Sequence, residues 1–342
     1  CAAAGIEVAG VIKGFNGLPK IAALYDTGAC AQVASSRLTQ LKHCKKLGIK
    51  TPCMLIRTPA PDEADEVVQY AEYSLNSEAA VLRSLNEACR RQNKRHKVIL
   101  MYDTGDLREG AWTLQEMTEL ALLVTRETDR LILAGIGTNL GCYGAIRATP
   151  AKMAELIEAA QALEAVTGTR LEIISGGGTS AFPMVVDGSM PARINHLRIG
   201  GGMLIPTHWQ NVISPAEMPP LHSDVFTLRA GIVEVKRKPS YPVGDPGYDC
   251  FGNRPEFRDI GMRYRAIAAV GRRDLGDLTG VLPRPGGCFV VGGSSDHMIV
   301  DMTDCQVEIA PGSTMDFDIV YENLLFLTGS PDIDVVCQSE TA

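Results

Sequence analysis

The chain has 342 residues, 45% of them hydrophobic and 21% charged, which is the make-up of a folded protein with ample core in one large domain or two. No apolar run approaches the roughly 20 residues that a membrane helix needs, and a net charge of -7 argues against a nucleic-acid surface and for a small-molecule partner. The ten cysteines are scattered with no CxxC pair and no metal-ligand spacing, which points to reduced thiols in a cytoplasmic protein and to no metal.

In chain order, apolar runs predict strands at Ile6–Lys13, Gln32–Ser35, Cys53–Arg57, Tyr73–Asn76, Val98–Asp103, Leu133–Asn139, Leu171–Gly176 and Asn195–Gly200. Helical patterns lie between them, among them "EADEVVQYAEY", "EAAVLRSLNEACRRQ", "LQEMTELALLVTRE" and "AKMAELIEAAQALEAVTG". Ser77-Glu78 and Thr149-Pro150 are start signals for two of these helices. The basic stretch Arg90–Lys97 reads as a solvated helix end. Eight strand–helix units in roughly 200 residues imply a closed (β/α)8 barrel over residues 1–222. From residue 223 to 342 the texture turns to short β runs with glycine and proline turns and almost no helix, a second, all-β domain. The linker falls at Pro215–His222.

In a barrel of this kind the active site gathers where strands end and their loops begin. Strand one ends on Lys13, strand five runs into "MYDTGDLREG", and strand six into "GIGTNLGCYG" with Asn139. Strands seven and eight end in "SGGGTSA" and "LRIGGG", two glycine triplets side by side, with hydroxyls on Thr179 and Ser180. Loops at these two strands are where barrels hold phosphate, on backbone amides and small hydroxyls. A phosphate site facing a lysine points to pyridoxal 5'-phosphate (PLP), held through Lys13. Burial at a strand end lowers a lysine's pKa and frees its amine for imine formation. Arg198, just before the last triplet, would keep the cofactor's ring nitrogen unprotonated. A neutral ring is a weaker electron sink, which fits a racemase.

At these residues the sequence resembles the alanine racemase-like, fold-type III PLP enzymes. "VIKG" is similar to their lysine segment, "DTGDLREG" to their DTGMxRxG segment and "LRIGGG" to their arginine–glycine segment. "LREG", "NLGCYGA", "ISGGGTS", "KPSYPVGDPGYDCFGNRP" and "GGSSDHMIVD" resemble the ornithine racemase branch in wording and order. The resemblance implies that Lys13 carries PLP and serves as one catalytic base, that Arg198 faces the pyridine nitrogen, and that Arg108 orients the cofactor and the substrate carboxylate. It places Thr179, Ser180, Gly200 and Gly201 at the phosphate, and Asn139 beside the ring, where alanine racemases carry a histidine. Upstream of residue 5 the family carries a further strand and helix, so the N-terminus reads as truncated.

Two departures matter. "KGFNG" lacks the phosphate-binding tyrosine that follows the lysine in alanine racemases. The second base, a tyrosine of the partner subunit there, has Tyr241 near its position here, but "GDPGYDCFGN" instead offers Tyr248 and Asp249. Racemisation needs proton carriers on both faces of the cofactor, and Lys13 serves one face only. The other is expected from the β domain of a second protomer, which makes the protein a homodimer with composite sites. Asp106, Glu109, Asp245 and Asp249 are the carboxylates available to a basic substrate side chain. Asp296 and His297 read as structural. Racemisation of ornithine or a related basic amino acid is the expected activity. The alternatives are an alanine or serine racemase and a decarboxylase of the same fold, in which a glutamate would replace Arg198.

Overall fold

The computed structural model describes residues 1–206, 222 and 225–338. The chain divides into two compact units, Cys1–Leu221 and His222–Ala342. Of the expected linker Pro215–His222, all but His222 lies outside the described residues. No helix among the described residues is long and apolar enough to cross a membrane.

The first unit is a closed barrel of eight parallel strands in sequence order, with β1 pairing both β2 and β8. The strands are β1 Glu7–Val11, β2 Gln32–Ser35, β3 Cys53–Leu55, β4 Tyr73–Asn76, β5 His96–Met101, β6 Leu131–Gly137, β7 Ile173–Ser175 and β8 His196–Ile199. All eight expected strands are present. Alternate residues face inward, so Ala9, Val11, Ala34, Met54, Leu75, Ile99, Met101 and Ile173 form one buried cluster inside the ring. The first strand is shorter than its apolar run, because Lys13 opens a 3-10 turn, Lys13–Phe15, that bends the chain out of the sheet. Phe15 and Ile12 are fully buried and pin that turn from behind.

Helices pack outside the ring. Pro150–Thr167 starts as expected, with Pro150 in the first turn and the Thr149 hydroxyl accepting the Lys152 amide at 3.3 Å. Leu114–Leu122 opens on a capping box between Thr113 and Glu116. Its expected continuation to residue 127 is instead a π turn, Leu123–Glu127. There the hydroxyls of Thr125 and Thr128 donate to the carbonyls of Ala121 and Val124 at 2.8 and 2.7 Å, competing with the helical ladder. Leu38–Lys46 is a helix that the strand-centred reading passed over, although Leu38, Leu41 and Cys44 mark its buried face at three-residue spacing.

The second unit is a six-stranded antiparallel sheet. Across it run β11 Leu282–Pro283, β14 Thr314–Asp318, β9 Leu228–Pro239, β10 Met262–Ala268, β13 Met298–Asp301 and β12 Phe289–Gly293. The expectation of almost no helix misses Tyr321–Leu327, whose Leu324 and Leu327 are buried. Asn323 locks that helix by donating to the carbonyls of Leu275 and Asp277, both at 2.7 Å.

Candidate active site

The ends of β1, β5, β6, β7 and β8 carry the chemistry. Lys13 is half-buried, and burial first, then the nearby Arg108, holds its ammonium below the ordinary lysine pKa of 10.5. Cys142 and Glu109 oppose that shift and Arg198 adds to it, so these five side chains share one electrostatic neighbourhood.

Arg198 is 6% exposed on β8. Its Nη1 donates to Ser175 Oγ at 2.5 Å and its Nη2 to the Thr138 carbonyl at 2.8 Å. Burial lowers its pKa to about 10, which leaves a full positive charge at neutral pH. Gly137 makes room for it, since a Cβ there would lie 3.2 Å from the Ser175 side chain and 3.5 Å from Arg198 Nη1.

The two glycine triplets meet as expected. Thr179 Oγ1 accepts the amides of Gly202 and Gly200 at 3.2 and 3.4 Å, tying the β7 loop to the β8 loop. Gly202 has to be glycine, because a Cβ would come within 2.7 Å of Thr179 Cγ2. Ser180 donates to the Leu140 carbonyl at 2.6 Å and so ties the β6 loop to the same corner. Asn139, next to that tether, has a buried Nδ2 with no hydrogen-bond partner.

In the loop after β5, Asp106, one of the carboxylates offered to a basic side chain, is taken up by backbone amides. Asp103 Oδ1 takes the amides of Gly105 and Leu107, and Asp106 takes those of Cys142, Tyr143 and Ile146. Both aspartates are therefore loop clamps. Arg108 and Glu109 form a fork-to-fork ion pair, while Arg108 Nη1 donates to Cys142 Sγ at 2.9 Å. Burial pulls Arg108 down, but Glu109 and Cys142 outweigh it and raise its pKa.

Tyr248 and Asp249 belong to the second unit. Tyr248 is 72% exposed, with the Arg254 guanidinium 5.1 Å over its ring. Asp249 caps its own loop, with Oδ1 taking the amides of Asn253 and Phe251 at 2.7 and 2.9 Å. Those bonds hold its carboxyl below the usual aspartate pKa. Tyr241 and Asp245 are exposed in the same segment. Asp296 and His297 are exposed in the turn between β12 and β13, where Asp296 accepts the Ser295 hydroxyl.

Three polar residues inside the barrel escaped the sequence reading. His196 Nδ1 lies 2.9 Å from Ser175 Oγ and its Nε2 lies 3.1 Å from Gln32 Oε1, all three residues being buried. Burial pushes the His196 imidazole down to about 3, with the Arg198 charge adding to the effect. The available signal was period two, since His196 and Arg198 occupy successive inward positions of β8.

The sequence model of the alanine racemase N-terminal domain matches residues 2–207. The chain is 36% identical over 328 residues to an ornithine racemase of Acetoanaerobium sticklandii, covering 95% of this chain and 90% of that one. It is 35% identical over 332 residues to a lysine racemase of Thermotoga maritima, covering 97% and 91%. An alanine racemase structure from Clostridium difficile 630 superposes with a TM-score of 0.66 over 96% of this chain and 88% of that one, and at 16% identity this likeness shows the fold. A barrel closed by β1 and β8, with a lysine, an arginine and two glycine-lined loops at one mouth, belongs to a chain of the alanine racemase family.

Proposed function

We propose that this protein is a PLP-dependent racemase of a basic amino acid, ornithine foremost, working by two-base transfer of the α-proton. The observation that carries the reading is the buried, fully charged Arg198 beside a lysine whose ammonium is destabilised. The 36% and 35% identical relatives, named as ornithine and lysine racemases, support the substrate class. The residues fit the cofactor on this chain's own geometry. Asn139 Nδ2 is a buried donor without an acceptor, and Gly202 and Thr179 form a corner that a Cβ would close. PLP supplies an aldehyde that joins to an amine and a ring that draws electrons from the α-carbon.

The chain's own groups do the rest. Lys13 holds the cofactor and moves the proton on one face, a task suited to an amine that gives up its proton readily. Arg198 keeps the ring nitrogen unprotonated and thereby restrains the electron sink, which favours returning the proton over decarboxylation. Arg108 takes the substrate carboxylate. Thr179, Ser180, Gly200 and Gly201 hold the phosphate, and Asn139 sits beside the ring. Tyr248 is the better second proton carrier, because Asp249 is already occupied as a cap. It would come from a second protomer, in a homodimer with composite sites. Glu109 is the carboxylate proposed for a side-chain ammonium, since Asp106 and Asp249 are bonded to backbone amides while Glu109 acts electrostatically on Lys13, and its ion pair with Arg108 would have to open to receive the substrate.

The test is to incubate the protein with PLP and L-ornithine, L-lysine, L-alanine or L-serine and to resolve the enantiomers. Ornithine or lysine should racemise fastest, and Lys13→Ala should abolish turnover. Tyr248→Phe should stop inversion while one enantiomer still exchanges its α-proton with deuterated water. Carbon dioxide release in place of racemisation, or turnover that survives Lys13→Ala, overturns the reading.

A further inference from the structure

We infer that Ser175, His196 and Gln32 form a directional hydrogen-bond chain across the barrel interior that positions Arg198 and thereby sets how faithfully the reaction ends in racemisation. The inference rests on the function proposed above, in which Arg198 faces the cofactor's ring nitrogen.

The direction follows from donor and acceptor chemistry. Gln32 Oε1 only accepts, so the proton of His196 sits on Nε2 and points to it at 3.1 Å. A neutral imidazole then has a bare Nδ1, which takes the Ser175 hydroxyl proton at 2.9 Å. With its one proton committed, Ser175 Oγ can only accept, and it accepts from Arg198 Nη1 at 2.5 Å. Burial keeps the imidazole neutral, since a second proton on His196 would put a cation beside Arg198 and leave Ser175 facing two donors. With Gln32 Oε1 turned toward His196, each link has one polarity.

The barrel wall is cut to let the chain pass. Ala9 on β1 is the register partner of both Arg198 on β8 and Gln32 on β2. Ala9 is fully buried and small, so β1 puts no large side chain between Arg198 and Gln32 at that register. Ser175 and His196 are register partners on β7 and β8, so the middle link is set by the sheet itself. The Thr138 carbonyl fixes the second Arg198 nitrogen at 2.8 Å, which leaves one rotation of the guanidinium for Ser175 to hold. Gln32, Ser175 and His196 are positioning residues, since none is proposed to touch substrate or cofactor.

Loss of the chain lets Arg198 turn and the ring nitrogen take up a proton, which strengthens the electron sink. The competing outcome is amine transfer: amino acid and aldehyde cofactor give 2-oxo acid and cofactor amine, which balances with no outside oxidant. The experiment measures 2-oxo acid released per racemised product, in the PLP-loaded protein, for Ser175→Ala, His196→Asn and the hydroxyl-retaining Ser175→Thr. The ratio should rise about tenfold or more in the first two, as losing one hydrogen bond to a charged group is worth that much, and return toward wild type in the third. In the cofactor-free protein, nitrogen NMR should show His196 as the Nε2–H tautomer from pH 5 to 9. An unchanged ratio in folded variants, or a His196 that titrates in that range, overturns the inference. A wild type that racemises while the ratio stays flat leaves the proposed function standing, whereas a wild type that neither binds PLP nor racemises removes both.

Discussion

Replacing Asp106 by asparagine should loosen the loop that carries Asn139 and Cys142. Asp106 is 1% exposed, with Oδ2 accepting the Tyr143 amide at 3.0 Å and Oδ1 those of Cys142 and Ile146 at 3.2 and 3.3 Å. Asparagine turns one acceptor into a donor, so whichever oxygen it keeps, at least one amide faces an N–H. One charged hydrogen bond is lost, and the remaining ones lose their charge, for a total of about 3–5 kcal/mol. Leu107 and Ala145, at φ 55° and 52°, sit in the left-handed region on either side of the clamp, so the loop has strain to release. Asp103 is the control. The amides of Gly105 and Leu107 both end on its Oδ1, and asparagine can keep that oxygen, so only the charge is lost, at a cost of about 1–2 kcal/mol. Hydrogen exchange at the amides of Cys142, Tyr143 and Ile146 reads the local opening directly, and 3 kcal/mol corresponds to roughly a hundredfold loss of protection. Cys142 Sγ accepts from Arg108, so kcat/KM should fall about tenfold or more in parallel. Equal effects of Asp103→Asn and Asp106→Asn, or unchanged exchange in Asp106→Asn, would refute the clamp.

The Lys13 ammonium is disfavoured in the folded chain, first by burial and then by Arg108. Its folded pKa lies below the unfolded value, so this destabilisation is complete at pH values below the folded pKa. It disappears as pH rises from there toward 10.5, where the unfolded chain holds the extra proton. Lys13→Met should therefore be inactive yet more stable than the cofactor-free wild type at pH 7, by on the order of 1 kcal/mol, with the gap closing as pH rises in denaturation curves. A less stable Met variant, or a gap independent of pH, contradicts this. Glu109→Gln should reduce kcat/KM for every substrate through Arg108, and for ornithine and lysine a further tenfold or more than for alanine. Equal losses across the three amino acids would remove Glu109 from substrate recognition.

The barrel was legible because its strands are short apolar runs separated by helical patterns and each strand ends in a recognisable loop. The lysine, the arginine and the glycine triplets were legible for the same reason, since a strand end fixes where a residue lies around the ring. What was not legible depends on pairing between distant segments. Nothing local separates Asp106, which binds amides 36 to 40 residues away, from Glu109, whose partner is its neighbour Arg108. The π turn at Leu123–Glu127 depends on threonine hydroxyls that turn back onto the ladder, in a segment whose apolar pattern still reads as helix. His196 lay within a recognised strand, but its partner Gln32 is 164 positions away, and only the closed ring brings them together.

In the proposed function, the charges at the barrel mouth account for how a chain with a net charge of -7 would attract an anionic cofactor. Lys13, Arg108 and Arg198 act on one another there, and among the groups that shift Lys13 only Glu109 and Cys142 pull the other way. Each of the three cations is disfavoured by burial, so each would gain from an anion that arrives without bringing more water. In the proposed function, a phosphate ester seated on the β7 and β8 loops would supply that charge and raise the proton affinity of Lys13 at the same time. The cofactor's phosphate and the catalytic amine are then coupled. Any change that loosens the phosphate from the β7 and β8 loops should shift the basic limb of the activity profile to lower pH, even though it leaves Lys13 itself untouched.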